Sequence, residues 1–178
     1  MTSSPFAEEL VALLPRLRRF ALSLCGNATL ADDLVQLACE RALKARGGYE
    51  DGTRLDAWVF RILRNAWIDS LRKRRGEGVE QSVDDAIGLV GDDGVRIAHA
   101  SIAANAVMEG MAGLADEQRR VLTLVCVEEL SYRETAETLG VPIGTVMSRL
   151  SRARKALAAA LGMTEGESPL EAADGSAP

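Results

Sequence analysis

The sequence predicts an all-α protein, two small helical domains joined by an acidic flexible linker. Apolar residues recur at three- and four-residue spacing along most of the chain, and the alternation that marks strands is absent. Aromatic residues make up only 4% of a chain that is 47% hydrophobic, so leucine and alanine carry the apolar content. Glycine and charge are segregated, with an acidic, glycine-rich stretch near the middle. At 178 residues the chain could form one domain or two. Domains of about 50–75 residues bury modest cores, which leaves room for partners to contribute stability.

The elements follow in order. From Pro5 to Leu24, Leu10, Leu13, Leu14, Leu17, Ala21 and Leu24 predict a helix that stops at Gly26-Asn27. Thr29, with Asp32 three residues on, predicts the cap of a second helix running to about Arg46. Its register is set by Leu30, Leu34, Leu37, Ala38, Arg41 and Ala42. Gly47 to Thr53 reads as a loop by its turn residues. A long helix is expected from about Leu55 to Arg74, with Trp58, Ile62, Ala66, Asp69 and Lys73 on successive turns, until Gly76 and Gly78 break it. The first domain is therefore placed at 5–76 and the linker at 77–101. Helices resume near Ile102, another begins at Ala115-Asp116 and runs through Glu128, and the second domain spans 102–162. The last segment, 163–178, is small, acidic and expected to be disordered.

Residues 131–157 are the most informative. Ser131 and Glu134 form a capping box, Ala136 is small enough for close helix packing, and Gly140 can take the left-handed conformation that ends a helix. Val141-Pro142 keeps the turn short, and Val146, Leu150, Ala153 and Leu157 then share one face of a second helix. Its other face carries Thr145, Ser148, Arg149, Arg152, Arg154 and Lys155, with no acid from Ile143 to Leu161. This is a helix-turn-helix whose second helix suits entry into a DNA major groove. A helical hairpin with a solvated basic face would also carry such charges, but it would not need the small-residue and glycine spacing.

The net charge of −5 hides this pattern. Between Arg61 and Arg75 there are six cations and one acid, Asp69; between Gly76 and Glu117 nine acids face Arg96 alone. An acidic total suppresses sequence-independent DNA affinity, which comes mostly from neutralising phosphates, so weak binding without a partner is expected. Cys25, Cys39 and Cys126 lack metal-ligand spacing and read as small core residues of a reducing compartment. No cofactor and no metal are expected. No apolar run reaches spanning length and no signal-peptide pattern opens the chain, so the sequence predicts a cytoplasmic protein without membrane insertion.

Asp32-Asp33-Leu34-Val35-Gln36, the stretch Asp56 to Arg72, Leu114 to Leu122 and Leu130 to Ala136 occur in the order in which similar segments occur in one family. From about Pro15 to Leu161 the chain resembles the extracytoplasmic-function (group 4) sigma factors of bacterial RNA polymerase. That resemblance implies sigma region 2 in the first domain and sigma region 4 in the second. It implies transcription initiation rather than catalysis, with core RNA polymerase and promoter DNA as partners, a dedicated anti-sigma factor, and no small-molecule substrate. Asp32, Asp33, Leu34 and Gln36 would dock on the polymerase clamp helices, with Arg41 a further candidate. Arg61, Arg64, Asn65, Arg72 and Lys73 would meet the minus-10 element. Tyr49 and Thr53 would line a pocket for an unstacked base. Ser148, Arg149 and Arg152 would read or clamp the minus-35 element, with Thr145 and Arg133 on phosphates. The chain departs from the family at Met147, where many relatives carry a cation, and at Trp67, which is bulky for its position.

Plainer physics accounts for some of these features. Acids in a first helical turn and cations in a last turn both complement the helix dipole without any ligand, and the linker could be a solvated tether. Three other functions compete. A sigma-like decoy would not need the basic face or Asn65. An independent helix-turn-helix regulator would bind DNA without polymerase, against the overall acidity. An enzyme using Asp32, Asp33, Glu40 and His99 would need a nucleophile, phosphate loop or ligand motif that does not accompany them.

Overall fold

The computed structural model describes residues 5–50, 52–76 and 102–163. The linker with His99, and the tail from residue 164, lie outside the described residues. Among the described residues every regular element is helical, and the chain divides into two compact units.

The first unit holds α1 (Pro5–Ala12), α2 (Leu14–Cys25), α3 (Ala28–Lys44), a short 3-10 turn (Arg46–Gly48) and α4 (Leu55–Gly76). Ala31, Ala38 and Ala42 form a small-residue stripe on α3, all fully buried, which lets α2 and α4 approach closely. Between those two helices Phe20 and Phe60 meet edge to face, centroids 5.3 Å apart, as ring quadrupoles favour.

Three local expectations are corrected here. The predicted helix from Pro5 to Leu24 is two helices: Pro15 has no N–H for a bond back to Val11, so α1 stops and α2 restarts at Leu14. The cap of α3 is Asn27, not Thr29; its side-chain oxygen accepts from the Leu30 N–H at 3.0 Å. On α4 the buried face is Val59, Phe60, Leu63, Ala66, Trp67 and Leu71, whereas Asp69 and Lys73 are exposed. The predicted stripe had followed Trp58 and Ile62, which flank the core half-buried. Trp67, bulky for its position, is a core residue.

A buried carboxylate ties this unit together. Asp56, in the first turn of α4, bonds the Ala57 N–H at 2.8 Å and pairs with Arg54 at 2.6 Å and with Arg16 of α2 at 2.9 Å. Burial acts to raise its pKa, but the Arg54 hydrogen bond, the Ala57 N–H and the two positive charges together hold it below the usual carboxylate value.

The second unit comprises α5 (Ile102–Ala112), α6 (Asp116–Leu122), a π-helical turn (Thr123–Val127), α7 (Tyr132–Leu139) and α8 (Ile143–Ala160). The expected helix through Glu128 keeps α-helical register only to Leu122. The widened turn is closed by the Glu128 N–H to Thr123 carbonyl bond at 2.9 Å, and it keeps both Leu124 and Glu128 buried. Glu129 at φ 57 then turns the chain towards α7. The helix-turn-helix forms as its residues dictate. Glu134 Oε2 accepts from the Ser131 N–H at 2.8 Å while Ser131 Oγ accepts from the Glu134 N–H at 3.2 Å. Gly140 ends α7 at φ 62, and Val146, Leu150, Ala153 and Leu157 are all buried. At Gly110 of α5 a Cβ would come within 2.7 Å of Leu157 Cδ1, so this glycine sets how closely α5 lies on α8.

Candidate nucleic-acid interfaces and a protein-docking face

α8 presents the side chains expected of a recognition helix, with different degrees of freedom. Ser148 and Arg152 are exposed; Ser148 Oγ donates to the Thr145 carbonyl at 3.1 Å, and Arg152 Nε donates to the Ser148 carbonyl at 3.3 Å. Both groups can exchange these weak local bonds for DNA atoms without unfolding a turn. Arg149 is half-buried, and its guanidinium pairs with Glu117 Oε2 of α6 at 2.7 Å. Glu117 thus fixes Arg149 at the edge of the exposed face of α8, a geometry suited to clamping a phosphate rather than reaching across a base edge. Thr145 is half-buried and Arg133 is exposed on α7. The pairing with Glu117 could not be read from the sequence, because the two residues are 32 positions apart and neither belongs to a local motif.

On α4, Arg61, Arg64, Asn65 and Arg72 fall within an arc of about 100° at 3.6 residues per turn, so one face carries three cations and an amide. Arg61, Asn65 and Arg72 are exposed and Arg64 is half-buried. Lys73 lies off this arc. The short partner of Asp69 is Arg41 of α3 at 2.7 Å, with Arg72 at 4.0 Å. Arg41, a docking candidate by sequence, therefore braces α3 against α4.

The loop residues Tyr49 and Thr53 come together. Tyr49 Oη donates to the Thr53 carbonyl at 2.7 Å, and Thr53 Oγ1 donates to the Glu50 carbonyl at 2.7 Å. The Tyr49 ring clusters with Phe6 (5.8 Å) and Trp58 (5.3 Å), which also meet each other edge to face, and the Arg46 guanidinium lies 4.7 Å from the Phe6 ring. Tyr49 is thus a strut of the loop as well as a ring near its surface. Phe6 and Trp58, which hold it, were not expected to take part.

The docking candidates on α3 divide into exposed and supporting residues. Asp33 and Gln36 are exposed, and Gln36 Nε2 donates to Glu40 Oε1 at 3.3 Å. Asp32 is exposed but pairs with Arg18 Nε of α2 at 2.7 Å. The hydrogen bond to Asp32 is the main reason the Arg18 pKa is raised. Leu34 is 6% exposed and faces the core, so it supports the surface from beneath. The apolar surface lies elsewhere. An open groove of about 640 Å³ runs between α2 and α3, with Leu14, Val35, Cys39 and Leu43 as its apolar lining and Arg18, Asp32, Gln36 and Glu40 on its rim. Cys39, expected in the core, lines this groove, and desolvation pushes its thiol pKa up; Cys25 is the buried one. Exposed leucines at 14 and 43 were the available sequence signal, but only the packing of α2 on α3 joins them.

A helix-turn-helix whose second helix has an acid-free basic face in one unit, and a helix with a cationic face and an open apolar groove in the other, are the arrangement expected of a promoter-recognition protein of the sigma-70 class. The family models agree: Sigma-70 region 2 matches residues 10–77 and Sigma-70 region 4 matches residues 104–157. The chain is 38% identical to the ECF RNA polymerase sigma factor EcfG of Rhodopseudomonas palustris, over 86% of this chain and 83% of that protein. It is 34% identical to the ECF sigma factor SigM of Bacillus subtilis over 79% of this chain and 85% of that one. Among solved structures, the sigma factor RpoE of Bartonella quintana, in complex with the anti-sigma factor NepR, superposes with a TM-score of 0.69 at 32% identity, covering 88% of this chain and 96% of that one. CnrH, in complex with the cytosolic domain of CnrY, gives a TM-score of 0.58 at 25% identity, over 88% and 87%. The chain belongs to the ECF family of RNA polymerase sigma factors, which are transcription initiation factors. No described helix is long and apolar enough to cross a membrane.

Proposed function

We propose that this sigma factor docks on core RNA polymerase through Asp33, Gln36 and the apolar groove between α2 and α3. The face of α4 bearing Arg61, Arg64, Asn65 and Arg72 takes the minus-10 element, with Lys73 a flanking cation and Tyr49 and Thr53 at the pocket for an unstacked base. Ser148 and Arg152 read the minus-35 element while Arg149, Thr145 and Arg133 hold its phosphates. Asp32 acts through its pair with Arg18, and Leu34 supports the docking helix. On this reading residues 5–76 are the polymerase and minus-10 module, 102–162 the minus-35 module, and 77–101 the tether between them. The protein works in the cytoplasm as a non-catalytic subunit.

The observation that carries this reading is α8: an acid-free exposed face on the second helix of a capped helix-turn-helix, its apolar face fully committed to the core. Anti-sigma control is supported by the solved relative RpoE, which is bound to the anti-sigma factor NepR. The exposed leucines of the α2–α3 groove suit an apolar helical segment of that kind of partner.

Run-off transcription from genomic fragments, with core polymerase and with or without this chain, is the direct test. Discrete new transcripts with two shared, spaced upstream elements are expected. Core binding with no transcripts would instead favour a decoy, and absence of core binding an independent regulator.

A further inference from the structure

We infer that Met147 reads the methyl group of a thymine in the upstream promoter element, a proposal that rests on α8 being the minus-35 helix. Met147 is 53% exposed, and Ile143, one turn before it, is 50% exposed, while Val146 and Leu150 between and beyond them are buried. Large apolar side chains left in water near the N-terminal end of a recognition helix call for an apolar feature on the partner, and it is the first turns of such a helix that meet base edges. The exposed residues on the turns that follow include Ser148, Ser151, Arg152 and Lys155, with no acid along the helix, so the partner is a polyanion rather than an apolar protein surface. Within a major groove the C5 methyl of thymine is the one apolar group on a base edge.

The geometry places Met147 on the flank of the same face, about 40° around the helix from Ser151 and about 100° from Ser148. Its thioether has no hydrogen to donate, so it cannot select guanine O6 and N7 as a lysine or arginine at this position could. Gly144 adjoins it. A Cβ there would meet nothing within 4 Å, so packing inside the protein does not require glycine. The bare backbone lowers the helix profile between Ile143 and Ser148, which lets this end of α8 sit deeper in the groove.

The test uses holoenzyme assembled from the full chain and core polymerase, on a promoter mapped by run-off transcription. Each thymine of the upstream element, on either strand, is replaced by deoxyuridine, which removes only the methyl. One position is expected to lose roughly fourfold in promoter affinity, the effect of one buried methyl. Met147→Ala is expected to lose the distinction between thymine and uridine there, and Met147→Lys to turn the preference towards guanine at the same position. Uridine tolerated at every position, or Met147→Ala as sensitive to the methyl as the parent, overturns the proposal. Absence of any promoter-specific transcript would instead overturn the minus-35 reading, and this proposal with it.

Discussion

Arg149 and Asp56 show how a single ion pair takes different roles according to its burial. Arg149 pairs with a half-exposed Glu117, so the pair itself adds little stability, at most about 1 kcal/mol. Its effect is positional. Arg149→Ala is expected to weaken minus-35-dependent transcription while leaving core affinity unchanged, as measured by transcription and by polymerase pull-down on the same preparations. Glu117→Gln should reproduce part of that loss at unaltered thermal stability. Asp56 is different, because its side chain is only 10% exposed and serves two arginines. Asp56→Asn removes the carboxylate charge from the pairs with Arg16 and Arg54 and should destabilise the first unit by about 2 kcal/mol. The folded pKa of Asp56 lies below its unfolded value near 3.9. Its contribution is therefore complete above about pH 5 and is lost as pH falls through the folded value. Melts of parent and Asp56→Asn should converge at acid pH and diverge at neutral pH.

At the scale of elements, caps and glycines decide where helices stop. Asn27→Ala removes the one side-chain acceptor at the start of α3 and should cost about 1 kcal/mol, seen as a lower denaturant midpoint. Gly140 and Gly144 make a controlled pair within the helix-turn-helix. Gly140 sits at φ 62, where alanine is strained, so Gly140→Ala should destabilise by about 1 kcal/mol. Gly144 lies in the first turn of α8 with open space around it, so Gly144→Ala should stabilise by about 0.5–1 kcal/mol. The capping box, turn glycine and four-residue apolar face of α7 and α8 were all legible in the sequence, because each is set by contacts within a turn or two. The buried face of α4 was not. Trp58 and Ile62 obey helical spacing as well as Val59, Phe60 and Leu63 do, and only the neighbours α2 and α3 decide which face turns inward.

For the whole molecule, charge segregation matters more than the total. The net charge of −5 opposes DNA, while the exposed faces of α4 and α8 attract it, so the free chain should bind promoter DNA weakly and the holoenzyme tightly. Fluorescence anisotropy with labelled promoter DNA should show affinity rising by about an order of magnitude or more when core polymerase is added. Asp33→Lys with Gln36→Ala should abolish that gain by impairing core binding, without lowering the melting temperature, because both side chains are exposed. A normal gain in the double variant would remove α3 from the docking surface.

The sequence by itself determined the helical class, the helix-turn-helix with its caps and buried face, the two basic islands and the family. These depend on interactions between residues a few positions apart, so short-range spacing carries them. Tertiary structure decided which residues share a surface. It drew Asp32 to Arg18, Asp69 to Arg41 and Arg149 to Glu117, turned Leu34 and Trp67 inward, and joined Leu14 to Leu43 across a groove. Each of those outcomes is a competition among partners that local spacing makes equivalent, and packing of one helix on another is the first event that distinguishes them.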